Sequence, residues 1–389
     1  MTPDELAAAA RRAGRLGLDT EFVGEGRYRT LLCLVQLAVP GDGRPQVEVL
    51  DALDPELQPG ELRAVLADPD VEVVVHAGRQ DVALLRRMWE TEVRNVFDTQ
   101  VAAGFAGLRG QASYDSLLRS VLGVRLGKTA SYTRWDTRPL SEEQLSYARA
   151  DVDHLLALAD ALENQLSARG RLEWAREECR PLETASDARV PDELFERLPR
   201  IGGLDPRTRA VARELIDWRE EAASGEDRPA GTVLNDTALV EVARRRPSSR
   251  EALAHVRGVP AATLHRRADA LLAAIERGLE RPPLPAERHP RSPPAEEDAP
   301  LVALAEALIR GRALEESLAY ELLATRAELQ ALVGSIRENR EEPGVRVLQG
   351  WRRELIGDQL LELLEGRRTL AVGADGRLSI GALPADQRA

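Results

Sequence analysis

Apolar positions follow two different periods along this chain. Between residue 15 and about residue 76 they alternate or run continuously, which predicts β-strands. Leu16–Phe22 alternates, with Leu18, Thr20 and Phe22 on one face and Asp19 and Glu21 on the other. Gly24 and Gly26 mark a turn into a second strand over Tyr28–Val39. Gln46–Leu50 and, after a helical stretch, Val71–Val75 complete the strand-rich part. From Gly78 to about Glu178 the period becomes helical. Strands followed by helices in this order predict an α/β domain with a mixed sheet over residues 1–180.

A connector punctuated by Pro181, Pro191, Pro199 and Pro206 leads to a second unit, residues 205–280. Its apolar spacing predicts a small bundle with helices over Arg207–Ala222, Asp236–Arg246, Ser249–Val256 and Ala261–Arg277. Residues 281–300 carry seven prolines, the composition of a linker. Residues 301–372 return to Leu-rich helical spacing as a third unit, and the tail with Gly373, Gly376 and Pro384 is expected to fray.

Composition changes this picture in three ways. The longest apolar run, Leu31–Val39, is far too short to span a bilayer, so no membrane segment is expected. The N-terminus lacks the basic start and apolar core of a signal peptide, and Thr2 with Glu5 has capping-box spacing instead; a cytoplasmic location follows. Cys33 and Cys179 are the only cysteines, which excludes a disulfide framework and a Cys-rich zinc site. A net charge of −12 weighs against a nucleic-acid partner, yet residues 205–277 hold 13 Arg against 12 Asp plus Glu.

Three separated acidic islands carry the candidate chemistry. Asp19 and Glu21 leave one face of a predicted strand; Asp81 follows a strand end and a glycine into a helix; Tyr147 and Asp151 lie four apart on a helix begun by Ser141. Gathered at one site, such carboxylates would repel one another unless cations offset them. Paired divalent metals remove that repulsion and suit in-line displacement at a phosphate, so the expected activity is that of a metal-dependent nuclease. A phenol beside a metal-ligating carboxylate can orient the attacking water.

The order and surroundings of these residues resemble the DEDD superfamily of 3′–5′ exonucleases. Gly17–Phe22 (GLDTEF), Leu32–Leu37 (LCLVQL), His76–Asp81 (HAGRQD), Phe97–Gln100 (FDTQ), Arg138–Leu140 (RPL) and Tyr147–Val152 (YARADV) carry the likeness. The Tyr-x-x-x-Asp spacing resembles the DEDDy branch and the ribonuclease D family within it; Ser146 stands where the DEDDh branch would place His. Trp218–Glu221 (WREE), Asn235–Leu239 (NDTAL), Ala243–Pro247 (ARRRP) and Val256–Pro260 (VRGVP) look like an HRDC domain, and Leu348–Arg353 (LQGWRR) is similar to that family's second, more divergent HRDC-like unit. The likeness implies an RNase H-like exonuclease domain followed by two all-α HRDC-type domains.

It also implies roles. Asp19, Glu21 and Asp151 would surround one Mg²⁺ or Mn²⁺, Asp19 would bridge to a second, and Asp81 would support it. Tyr147 would position the water that releases a nucleoside 5′-monophosphate from an RNA 3′ end, with tRNA precursors as substrates. Phe22, Lys128 and Arg244–Arg246 are the candidate nucleic-acid contacts. Gly123–Thr129 is one residue short of a phosphate-binding loop and follows a helical pattern, so no ATP site is expected. The expected chain acts as a monomer. A DNA exonuclease and a non-catalytic RNA-binding adaptor are the rival readings.

Overall fold

The computed structural model describes residues 1–108, 111–127, 134–286, 296–338 and 343–382. Helix α1 (Pro3–Ala13) starts on the Thr2–Glu5 capping box and ends at Gly14 in the left-handed region. Strands β1 (Arg15–Val23), β2 (Leu31–Val39) and β3 (Gln46–Asp51) follow, then α2 (Gly60–Leu66), β4 (Glu72–Val75), α3 (Arg79–Met88) and β5 (Val96–Asp98). The sheet order is β3-β2-β1-β4-β5. β1, β2 and β3 pair antiparallel, whereas β1–β4 and β4–β5 pair parallel, so the sheet is mixed.

Helices α4 (Thr99–Phe105), α5 (Tyr114–Leu117), α6 (Glu142–Asp153), α7 (Leu155–Ala168) and α8 (Leu172–Cys179) complete the first 180 residues. One face of the sheet packs Leu16, Leu18, Val35 and Leu37 against α1, α2 and α3. The other lies under α6 and α7, where Ala38 and Val74 meet Val152, Leu155 and Leu156. β2 therefore sits between β1 and β3 with helices over both faces, which is why its run is apolar with almost no alternation.

Beyond the prolines come α9 (Pro191–Glu196), α10 (Pro206–Gly225), α11 (Ala230–Val233), α12 (Asp236–Arg245), α13 (Arg250–Ala254) and α14 (Ala261–Glu280), which bury a core of their own around Leu215, Trp218, Leu239 and Leu271. The β1–β2 loop grips this bundle. Arg27 pairs with Asp227 at 2.8 Å, the Tyr28 backbone N–H donates to Asp227 and its hydroxyl to Glu220, and Arg189 lies over the Tyr28 ring. Tyr28 thus joins the bundle instead of opening β2, and the strand begins at Leu31.

The last helices are α15 (Ala299–Glu316), α16 (Tyr320–Leu323), α17 (Arg326–Arg337), α18 (Gly350–Arg352) and α19 (Asp358–Leu364). Their apolar residues share one continuous cluster with α4, α7 and α8. Trp351 is the joint: its ring stacks on Trp174 at 5.0 Å and meets Phe105 edge-on at 5.1 Å.

Two elements escape the sequence pattern. β5 falls inside the stretch expected to be helical, because three residues are too few to display a period and only pairing with β4 makes them a strand. The tail does not fray over its described part: β6 (Arg368–Val372) and β7 (Leu378–Ala382) form a hairpin. Gly376, at φ +75°, lets the connecting turn close. Pro384 lies outside the described residues.

Replacing Trp351 with Ala should cost about 3–5 kcal/mol by emptying the joint between the C-terminal helices and the sheet domain. Urea denaturation of both proteins checks this; a loss below 1 kcal/mol, roughly a surface substitution, would contradict the shared core.

Candidate active site

β1 delivers Asp19 and Glu21 to the sheet face covered by α6, directly opposite Gln36 and Leu34 of β2. Between Glu21 and Phe22 the register shifts in a bulge, and Phe22 emerges at the strand end, 37% exposed. Thr20, on the other face, is buried and its hydroxyl donates to the Asp81 carboxylate. Asp81 itself lies in the first turn of α3 and is buried.

The turn that aims α3 is held from a distance. Asp98 at the end of β5 accepts from the backbone N–H groups of Ala77 (3.0 Å), Gly78 (2.9 Å) and Gln100 (2.8 Å). It thereby caps α4 and clamps a chain reversal in which Ala77 takes φ +54°. A Cβ on Gly78 would fall 2.5 Å from the Val75 side chain, so only glycine lets β4 turn into α3 here. Asp98 was visible in the sequence only as part of a motif; its signal is that of a helix N-cap.

α6 starts on a capping box made by Ser141 with Gln144 and carries Tyr147 and Asp151 one turn apart over the sheet. Tyr147 packs beside Trp135, ring centroids 5.9 Å apart. A second phenol went unnoticed in the sequence, where nothing marks it. The Tyr114 ring tilts against His76 at 5.5 Å, its hydroxyl is buried, and burial with the Asp151 and Asp19 charges pushes its pKa up.

The islands therefore meet through their charge. Burial first, then the charges of Asp81, Asp151 and Glu21, raise the Asp19 carboxyl well above the usual range. Glu21 is pushed up to about 8 by burial, Asp151 and Asp81; Asp151 to about 7 by burial. Burial lifts Asp81 to about 6 against the opposing hydrogen bond from Thr20. Tyr147 rises to about 12 through burial and the charges of Asp151, Glu21 and Asp19.

As placed, no three Asp, Glu, His or Cys side chains among the described residues stand close enough to share one ion. Asp81 is hydrogen-bonded by Thr20, whose side chain leaves β1 on the face opposite Asp19 and Glu21. The donor set nevertheless fits hard divalent cations: carboxylate oxygens, no thiolate, and an uncompensated negative charge in a buried place.

The other expected contacts are dispersed. Arg244 and Arg245 are exposed at the end of α12, Arg245 paired with Glu241. Arg246 turns inward as the left-handed cap of α12 and donates to the Thr208 hydroxyl at 2.9 Å. Lys128 lies outside the described residues. A cleft of about 540 Å³, bounded by Val23, Arg27, Arg134, Asp136 and Asp227, opens between the end of β1 and the helical bundle.

A family described as 3′–5′ exonuclease matches residues 2–167, and the HRDC domain family matches residues 208–275. Ribonuclease D of Granulibacter bethesdensis is 36% identical over 96% of this chain and 92% of its own. Ribonuclease D of Gluconacetobacter diazotrophicus is 36% identical over 96% and 94%. The chain belongs to the ribonuclease D family. As a member it is a 3′–5′ exoribonuclease and a nuclease hydrolase, in a family for which divalent-metal dependence is typical. The crystal structure of Escherichia coli RNase D superposes with a TM-score of 0.79 at 28% identity, covering 94% of this chain and 97% of that one. No helix among the described residues of this ribonuclease D family member is long and apolar enough to cross a membrane.

The raised carboxyl pKa values make the metal-free protein's stability depend on pH. The folded state holds protons that the unfolded chain, with carboxyls near 3.8 to 4.5, has lost, so stability falls as pH rises through the folded values of about 6 to 8. Melting curves in chelator should shift downwards between about pH 5 and 8. Asp151→Asn should flatten that slope, and identical slopes in the two proteins would refute the raised Asp151 pKa.

Proposed function

We propose that this exoribonuclease trims RNA 3′ ends, tRNA precursors among them, through Asp19, Glu21, Asp81, Tyr147 and Asp151. The observation that carries the reading is the gathering of acids from α3 and α6 around buried Asp19 and Glu21 of β1, close enough for their charges to act on both. Two Mg²⁺ or Mn²⁺ ions, when bound, supply charge compensation and Lewis-acid polarisation of the phosphodiester. Asp19, Glu21 and Asp151 would hold one of them, and Asp19 with Asp81 the second.

Tyr147 acts as a neutral phenol. A phenol, whose ordinary pKa is about 10, keeps its proton at physiological pH, so it orients the attacking water by hydrogen bonding. Phe22, exposed beside Glu21, offers an apolar face for the terminal base. Water attack on the last phosphodiester frees a nucleoside 5′-monophosphate and leaves the shortened strand with a new 3′ hydroxyl.

Structured substrates are supported by the Escherichia coli relative, an exoribonuclease involved in structured RNA processing. The HRDC bundle, with Arg244 and Arg245 outward, supplies a second nucleic-acid surface, and residues 301–372 a further HRDC-like unit. The protein works as a cytoplasmic monomer without ATP.

Asp19→Asn and Asp151→Asn should each lower mononucleotide release from 3′-labelled RNA by at least about 1,000-fold, while RNA retention in filter binding changes less than about threefold. Near-normal turnover in either purified variant would overturn the assignment. A matched DNA strand degraded as fast as RNA would move the substrate class from RNA to single strands in general.

A further inference from the structure

β2 is apolar from Leu31 to Val39 except at one position, Gln36. That side chain is 0% exposed, and among the described residues neither its amide oxygen nor its amide nitrogen has a hydrogen-bond partner. An orphaned amide in a strand buried on both faces opposes stability, and any apolar residue of similar length would serve the core better. A local choice that works against the fold is expected where function requires it.

The register shows what the amide faces. Gln36 is the antiparallel partner of Asp19, so the two side chains leave the sheet on the same face, with Cβ atoms about 4.5–5.5 Å apart. On its other side the partner is Val49, which offers no polar side-chain atom. Ala148 and Val152 of the covering helix are buried and apolar. Asp51, diagonal to Gln36 on β3, is already occupied by Arg138 and the Leu53 backbone N–H. Asp19 is thus the acid directly beside the amide, with Glu21 on the diagonal.

We infer that Gln36 is a positioning residue for the carboxylate site: its amide, unpartnered in this structure, would donate to Asp19 when Asp19 holds metal and so fix the orientation of that carboxylate. The assignment rests on the reading of Asp19 as a metal ligand. The chemistry is specific to an amide. A carboxylate can only accept, so the amide nitrogen is the atom that serves it, and the amide oxygen remains to receive a water. A neutral donor orients Asp19 without bringing a fixed positive charge that would compete with the cations. Partners of this kind, behind the ligands themselves, typically change metal affinity by about 10–100-fold when removed.

The test uses the full-length chain stripped of metal, comparing wild type, Gln36→Met, Gln36→Leu and Asp19→Asn by Mn²⁺ titration calorimetry and by thermal melting in chelator. Gln36→Met keeps length and volume and removes the orphaned amide. It should melt no lower than wild type while its Mn²⁺ Kd rises about 10–100-fold, and kcat on RNA should fall with KM little changed. A residue that merely fills space would show the reverse, lower melting with unchanged Mn²⁺ affinity, and that result in both Gln36 variants overturns the assignment. If Asp19→Asn also leaves Mn²⁺ affinity unchanged, the failure lies with the metal-ligand reading of Asp19. If Asp19→Asn weakens binding and neither Gln36 variant does, only the role of Gln36 fails.

Discussion

Buried like charges govern this molecule. Burial and the neighbouring acids raise the cost of ionising Asp19 and Glu21, and burial raises that of Asp81 and Asp151. Folding around such a cluster costs stability at neutral pH, and bound cations, where present, offset that cost. That cost explains why the acids are spread over three elements. β1 and α3 are anchored in one shared apolar cluster and α6 in two others, which hold the scaffold against repulsion at the tips.

The anchoring is visible in polar contacts away from the acids. Asp98 secures the reversal at Ala77 and Gly78, which sets where α3 begins and therefore where Asp81 lies. Thr20 holds Asp81 from the far side of β1, and Gln36 stands beside Asp19 on the site face. These residues are spent on orientation; none of them needs to touch substrate. The C-terminal helices add rigidity of another kind, since α4, α7 and α8 share their apolar cluster with α15–α19 through Trp351. The helical bundle touches the nuclease differently, through the ion pair and aromatic contacts of Arg27 and Tyr28, so its attachment sits on the loop that follows Phe22.

Much of this was legible before any coordinates. Alternation over Leu16–Phe22 already assigns Asp19 and Glu21 to one face, because side chains on a strand repeat every second residue. The four-residue spacing of Tyr147 and Asp151 likewise assigns them to one helix face, and Thr2 and Ser141 mark helix starts by local hydrogen bonding. Family membership followed from the same local words. All of these signals act within a few residues, which is the range over which sequence pattern reports structure.

Other features arose only from long-range pairing. β5 is a strand because β4 lies beside it, and the 368–382 hairpin exists through its own cross-strand bonds, not through apolar spacing. Arg246, one of three adjacent arginines, is drawn inward by Thr208 of another helix, while its neighbours stay in solvent. Gln36 looks like an ordinary polar interruption until the register sets it against Asp19. The sequence alone determined which residues could share a face; which faces meet, and which polar groups they leave buried without partners, depended on the packing of elements far apart along the chain.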